Sequence, residues 1–471
     1  ACRRHQQDRQ RASSMASKAE ALYFSSPVWL QNLMVSAMGY KLYRKRYTGI
    51  YHELRELVRV SRGWSVTQRE AYQAEQLHYL IRYCRLSIPY YQKLFAEYGL
   101  SDQDFTQVSD LAKLPILDKQ TVRERGHEFH PVHGKPFMVQ HTSGSTGTPL
   151  ALHVNERTYK LAMALLVDHE EYHGVPFGAR RATFAGRMIQ KPENLSPPFA
   201  RFNRAENQRL YSSYHLNDQT FGHYRADLDR FQPLELIGYP SAISDLATYY
   251  ESSGTQPGFQ PKAVITNSET LLDWQRSRIE SVFQCPVFDY YGTAEYVLFA
   301  GQDDRGVYQI NPVIGITELD NDTDEEGAGA IIATTLTNTS MPLLRYQVGD
   351  HGVRARNGQP GNGAISELES ITGRLDDYVV TPDGRRLGRM DHIFKGLESI
   401  REAQIVQDRP DHCTLRVVPH SSSEKVSEQL IESNFLSRTG QGMSVSIEYV
   451  EAIPRGKNGK FKGVVRELSG D

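Results

Sequence analysis

The chain has 471 residues, 39% of them hydrophobic and 23% charged. That is enough apolar material for a large packed core, and it excludes wholesale disorder. Its 54 basic and 56 acidic side chains leave a formal charge of -2, which argues against a dedicated nucleic-acid binder.

At roughly 100–200 residues per domain, the length predicts more than one domain. Residues 1–20 are polar, carry Arg3, Arg4, Arg9 and Arg11, and lack the apolar run of a secretory leader. They are expected to form a disordered arm. From Leu22 to Met38 the chain turns apolar, and Lys41, Arg44, Lys45 and Arg46 follow. Residues 22–46 are too short and too interrupted to span a bilayer. They predict a helix that either packs its apolar side on its own domain or lies in a membrane interface. The pattern to about residue 130 is helical, with Leu77, Leu80, Ile81 and Cys84 on one face, a break at Pro89, and Asp102 as the cap of a short turn. Beyond residue 137, strands and helices alternate: "RRATFAG" reads as a strand, "LELIGYPSAISDLATYYESSG" as strand, turn and helix, and "DWQRSRIESVF" as a helix. The texture becomes hairpin-like over residues 303–356, with a strand over Ile331–Thr335, and a boundary falls near Gly373–Asp377. The expected fold class is α/β: a large multi-sheet N-terminal domain over 21–374 and a small mobile α+β lid over 376–471. The four cysteines (Cys2, Cys84, Cys285 and Cys413) form no C-x-x-C pair, so they read as scattered buried thiols in a reducing compartment.

Five segments carry candidate chemistry. Thr142-Ser143-Gly144-Ser145-Thr146-Gly147-Thr148-Pro149 has two glycines and five hydroxyls, which suits an anion cradle of backbone N–H groups as well as a flexible surface turn. It lacks the G-K-[ST] of a P-loop, which disfavours a Walker-type kinase or ATP hydrolase. Tyr290-Tyr291-Gly292-Thr293-Ala294-Glu295 follows a buried strand and offers an aromatic for a base and a carboxylate for Mg²⁺. Arg345-Tyr346-Gln347-Val348-Gly349-Asp350 ends in an Asp expected on a tight turn, suited to ribose hydroxyls. Gly373-Arg374-Leu375-Asp376-Asp377 lies at the domain boundary, and Pro454–Lys460 is a basic turn near the end of the chain.

In this order and spacing the five segments resemble the adenylate-forming superfamily of acyl-CoA synthetases. Within it they resemble the phenylacetate–CoA ligase branch and its CapK-like capsular-polysaccharide proteins, which "SPVWLQNLMVSAMGYKLYRKRY" and "LIGYPSAI" also match. The resemblance implies activation of a carboxylic acid by MgATP to acyl-AMP, with pyrophosphate released, then acyl transfer to CoA or to an amine or sugar hydroxyl. It implies that Thr142, Ser143, Gly144, Ser145, Thr146 and Gly147 grip the outer phosphates. Ser268 and Glu269 would lie beside the adenine and Tyr291, with Gly292 and Thr293, would stack on it. Glu295 would bind Mg²⁺, Asp350 and Arg374 would hold the ribose, Asp376 would be the hinge, and Lys460 would bridge the acyl carboxylate and the α-phosphate. Thr148 replaces a usual Lys, Ala294 a usual hydroxyl residue, and Gln347 and Val348 a usual Arg and Thr. Tyr239, Pro240 and Ser241 are expected to line the acid pocket. Tyr214 and His215 either join them or, for His215, form a hydrogen-bonded core imidazole. The implied setting is cytoplasmic. The competing reading is a non-catalytic nucleotide-binding scaffold of a polysaccharide-assembly complex.

Overall fold

The computed structural model describes residues 20–141, 150–185, 187–191, 194–320, 327–355, 363–372, 379–382, 386–387, 390–394, 399–419, 427–439, 442–454 and 461–468. At residues 141, 214, 372, 386, 387, 391, 392, 401, 437 and 438 it describes the backbone alone. Thr142–Gly147, Thr148, Arg374, Asp376, Lys460 and Cys2 therefore lie outside the described residues.

The chain begins with helices α1 (Val28–Arg46), α2 (Tyr51–Ser61), α3 (Val66–Ser87), α4 (Pro89–Tyr98) and α5 (Lys119–Glu124). Ser65 caps α3, accepting from the Gln68 N–H at 3.3 Å while the Gln68 side chain accepts from the Ser65 N–H at 2.9 Å. This reciprocal pair satisfies two donors that a helix start leaves open. Pro89 sits at the first position of α4, where its missing N–H costs nothing. The cap expected at Asp102 is instead Ser101, which precedes the short turn, while Asp102 pairs with Arg85 at 2.8 Å.

Strands then alternate with helices: β1 (Met138–His141), β2 (Ala151–Val154), α6 (Glu156–Tyr172), β3 (Arg181–Ala185), β4 (Ala200–Asn203), β5 (Gln208–Ser212), α7 (Phe221–Phe231), β6 (Glu235–Gly238), α8 (Pro240–Ser252), β7 (Ala263–Asn267), α9 (Asp273–Phe283) and β8 (Val287–Gly292). A hairpin-rich stretch follows: β9 (Phe299–Gln302), β10 (Tyr308–Ile310), β11 (Gly315–Asp320), β12 (Ala328–Thr335), β13 (Tyr346–Arg354) and β14 (Glu367–Thr372). Last come β15 (Val379–Val380), β16 (Arg386–Leu387), β17 (Ile400–Arg409), β18 (His412–Pro419), α10 (Glu428–Thr439), β19 (Ser444–Tyr449) and β20 (Val464–Arg466).

Packing divides the chain into two units. One comprises residues 1–52, 169–266 and 275–287; the other comprises 53–168, 267–274 and 288–471. In the first, the order is β7-β6-β3-β5-β4, parallel except for the antiparallel edge strand β4. The first four residues of β7, Ala263–Thr266, and all four of β6 are buried, as a strand covered on both faces requires. Gly238 ends β6 with φ 155°, and a Cβ there would lie 1.8 Å from the Phe184 carbonyl oxygen. Only glycine lets the chain turn from β6 into α8 at that separation.

In the second unit, β11-β12-β13-β14-β10-β9-β8 is antiparallel throughout, and β1 and β2 form a separate hairpin. The face expected for α3 is its core face: Leu77, Leu80, Ile81 and Cys84 are all fully buried, packed with Leu343, Leu344 and Tyr346. The last part of the chain forms the sheet β19-β18-β17-β20, with a core of Ile405, Leu415, Val417, Ile431 and Phe435. Cys84, Cys285 and Cys413 are buried free thiols, as read from their spacing.

Candidate active site

The residues implied for the nucleotide that can be described lie in the second unit. Strand β8 runs out into a turn, in which the Tyr296 N–H donates to the Thr293 carbonyl at 3.1 Å and Tyr296 takes φ 55°. That turn brings Glu295 to a position only 7% exposed. A carboxylate so buried needs partners. The Tyr346 hydroxyl donates to its Oε1 at 3.1 Å, and the Lys119 ammonium at the start of α5 stands 3.9 Å away. Neither partner was singled out in the sequence. Lys119 lies far upstream with no motif around it, and Tyr346 was noted only as part of the segment ending in Asp350.

Asp350 lies inside β13 rather than on the tight turn expected for it. Opposite it the register slips: Ala330 faces His351 while Ile332 faces Gln347. Val348, Gly349 and Asp350 thus bulge opposite Ile331, and a bulge re-aims the side chains that it carries. The Tyr291 hydroxyl donates to Asp350 Oδ2. The residue implied for the adenine and the residue implied for the ribose therefore touch, although 59 positions separate them.

Two further contacts involve neighbours of the implied site residues. The Tyr296 hydroxyl donates to Gln140 Oε1 at 2.9 Å, which ties the Glu295 turn to β1, the strand that leads into Thr142–Gly147. The Phe461 N–H, next in sequence to Lys460, donates to Glu269 Oε1 at 2.8 Å. Ser268, beside Glu269, takes φ 70° and donates its hydroxyl to Asn267 Oδ1 at 2.8 Å. A left-handed serine costs about 1–3 kcal/mol, and such strain gathers at functional segments. Thr293 Oγ1 accepts from the Val297 N–H at 3.3 Å, and a hydroxyl that accepts there keeps its own hydrogen to donate.

The residues expected around the acid lie in the first unit. Tyr239 precedes α8, its N–H bound to the Phe184 carbonyl at 2.9 Å, and Pro240 and Ser241 open that helix, both buried. His215 is 1% exposed. Its Nε2 donates to the Lys191 carbonyl at 3.0 Å, so in the neutral ring Nδ1 accepts from the Ser212 hydroxyl at 2.7 Å. With both nitrogens held and the ring stacked on Phe199, His215 has the geometry of a core imidazole. The Tyr214 side chain lies outside the description.

Among the described residues no three His, Cys, Asp or Glu side chains converge as a metal cage. Glu295 still suits Mg²⁺, which commonly takes one or two protein carboxylates and completes its shell with phosphate oxygens and water. The Lys119 ammonium beside it shows that cationic charge is already favoured at this carboxylate.

A parallel α/β unit, an antiparallel unit that gathers a buried Glu and a Tyr–Asp pair, and a small terminal sheet make up the adenylate-forming ligase fold. The solved structure of 2-hydroxyisobutyryl-CoA ligase in the postadenylation state superposes on it with a TM-score of 0.65 at 18% identity, covering 85% of this chain and 90% of that one. Residues 379–467 match the family model of the CapK C-terminal domain. Protein CapK of Staphylococcus aureus is 27% identical over 458 residues, spanning 95% of this chain and 99% of that protein. The phenylacetate-coenzyme A ligase of Pseudomonas putida is 23% identical over 366 residues, spanning 70% and 76%. The resemblance carried by the five segments is borne out along nearly the whole chain.

Proposed function

We propose that the protein is an adenylate-forming ligase that activates a small carboxylic acid with MgATP. A carboxylate oxygen attacks the α-phosphorus, the bond from that phosphorus to the bridging oxygen breaks, and pyrophosphate leaves with acyl-AMP behind. The acyl group then passes to the thiol of CoA, or to an amine or sugar hydroxyl. The observation that carries this reading is the convergence of Glu295, Tyr291 and Asp350, with Glu269 bound to the residue after Lys460.

Acid and α-phosphate are both anions. Two unit charges about 4 Å apart interact by roughly 4 kcal/mol at an effective dielectric of about 20, so cations must intervene. Mg²⁺ held at Glu295 would lower that repulsion. Lys460, on the terminal domain, would add its ammonium for adenylation and withdraw when the domain turns about Asp376. Tyr291 would stack on the adenine, Asp350 and Arg374 would orient the ribose, and Thr142–Gly147 would hold the outer phosphates. Tyr239, Pro240 and Ser241 are proposed for the acid. The CoA ligases among the relatives favour CoA as acceptor. A cytoplasmic setting follows from the demand for ATP.

The test is pyrophosphate release with MgATP over a panel of aryl, fatty and amino acids. Products formed with CoA or hydroxylamine are then identified by mass. At least one acid class should release pyrophosphate and yield a thioester or hydroxamate. Silence across the panel, with ATP still bound, would leave a non-catalytic nucleotide-binding scaffold as the better reading.

A further inference from the structure

Helix α1 carries apolar side chains all round: Val28, Val35, Leu42 and Tyr43 are part-buried on the side that packs on its own unit. What ties it to edge strand β4 is polar or small. Asn32 Oδ1 accepts from the Phe202 N–H at 2.9 Å, the Ser36 hydroxyl donates to the Phe202 carbonyl at 3.1 Å, and Ser36 Oγ accepts from the Arg204 N–H at 3.1 Å. Gly39 lies so close to Asn203 that a Cβ would sit 2.0 Å from its Oδ1. These side chains satisfy an edge that would otherwise present unpaired backbone groups.

The solvent-facing side carries Trp29, Leu33 and Tyr40, exposed by 68%, 59% and 52%, and then Arg44. At 100° per residue all four fall within a 60° arc. Leu22 and Met38 are likewise 60% and 55% exposed. Five of the seventeen exposed large hydrophobics among the described residues thus fall within Leu22–Tyr40. A neighbouring loop also exposes Met188 (48%) and Leu195 (62%). A relay fixes that loop to the helix: Tyr23 donates to the Ile189 carbonyl at 2.9 Å, and Arg201 bonds Gln31 at 2.5 Å and Gln190 at 3.0 Å. Concentrated exposure of this kind marks a docking surface.

The charges identify the occupant. The helix contains no Asp or Glu; its Lys41 and Arg44 are exposed, while Arg46 pairs with Glu206 at 3.0 Å. Residues 1–19 add Arg3, Arg4, Arg9, Arg11 and Lys18 against Asp8 alone. A helix without a carboxylate is a poor complement to a second copy of itself and a good one to a layer of phosphates. Trp and Tyr suit the boundary between headgroup and acyl chain. We infer that the outward face of Leu22–Arg44 docks on an anionic phospholipid surface, with α1 lying flat in the interface. No described helix is long and apolar enough to cross a membrane.

The experiment uses the full chain in vesicle flotation with phosphatidylcholine alone and with phosphatidylcholine–phosphatidylglycerol at about 7:3. The protein should float with the anionic vesicles and release as salt is raised. Lys41→Glu/Arg44→Glu should weaken the apparent partition about thirtyfold or more, and Trp29→Gln/Leu33→Gln should abolish it. Both variants should keep the wild-type melting temperature. Should either fail to fold, Trp64→Phe/Trp274→Phe leaves Trp29 as the sole tryptophan, and brominated lipid should quench its fluorescence. Wild type that stays unbound, variants that float equally well, or unquenched Trp29 would each overturn the inference. So would a wild-type dimer that Trp29→Gln/Leu33→Gln dissolves, because the face would then be a contact between copies.

Discussion

Glu295 is the residue on which the proposed chemistry turns. It is buried, it accepts from Tyr346, and the Lys119 ammonium stands 3.9 Å from it. Glu295→Gln keeps the shape and the bond from Tyr346 and removes only the charge. Pyrophosphate release should fall at least a hundredfold while the melting temperature changes by only a few degrees; near-wild-type release would strip Glu295 of its role. Gly238 shows a purely structural constraint. Ala there would drive its Cβ into the Phe184 carbonyl, and urea denaturation of Gly238→Ala should show a loss of about 3 kcal/mol or more. Wild-type stability in that variant would mean that β6 and β3 can part. The motif around Glu295 was legible because its residues are contiguous. Lys119 was not, since its place beside Glu295 depends on a fold that brings positions far apart in sequence together.

Among the elements, the β1–β2 hairpin has a titration of its own. His153 on β2 stacks on His130 with ring centres 3.8 Å apart. Burial lowers both pKa values, and the charge of His130 helps hold His153 down at about 4. Below the ordinary value near 6.5 the unfolded chain takes up protons that the folded pair refuses. Stability should therefore fall as pH drops from about 6.5 toward 4, by about 1 kcal/mol given the pair's partial exposure. Thermal melts across that range should show the slope, and His153→Gln should flatten it; an unchanged slope would assign the effect to other groups. Several elements were readable before the fold was known. The helix read over "DWQRSRIESVF" is α9 residue for residue, and the strand read over Ile331–Thr335 lies within β12, because periodicity and β-branched runs are local signals. The cap misassigned to Asp102 reflects how little separates adjacent polar candidates: Ser101 takes the cap because Asp102 is drawn to Arg85. Asp350 was misread as a turn because a bulge depends on the partner strand, which the sequence of one strand does not contain.

For the whole molecule, the proposed reaction needs the terminal domain in two places. Phe461 already bonds Glu269 in the second unit, so the segment around Lys460 and the segment implied for the adenine share a contact. Lys460→Ala should cut adenylation severely and leave ATP affinity within a few fold, as measured by pyrophosphate release and equilibrium binding. Asp376→Pro should impair acyl transfer more than adenylation, since a fixed φ resists rotation there. Similar losses in both half-reactions would remove the hinge from Asp376.

The sequence by itself determined the α/β class, the order of the motifs and the kinds of residue available for chemistry, because these depend on local periodicity and residue type. Only the tertiary structure decided which of them meet. Burial forced a partner on Glu295, a two-residue slip turned Asp350 toward Tyr291, and an edge strand in need of hydrogen bonds drew Asn32 and Ser36 of α1 onto itself and left Trp29, Leu33 and Tyr40 facing out. Each outcome depends on pairing between distant parts of the chain, which a linear pattern does not encode.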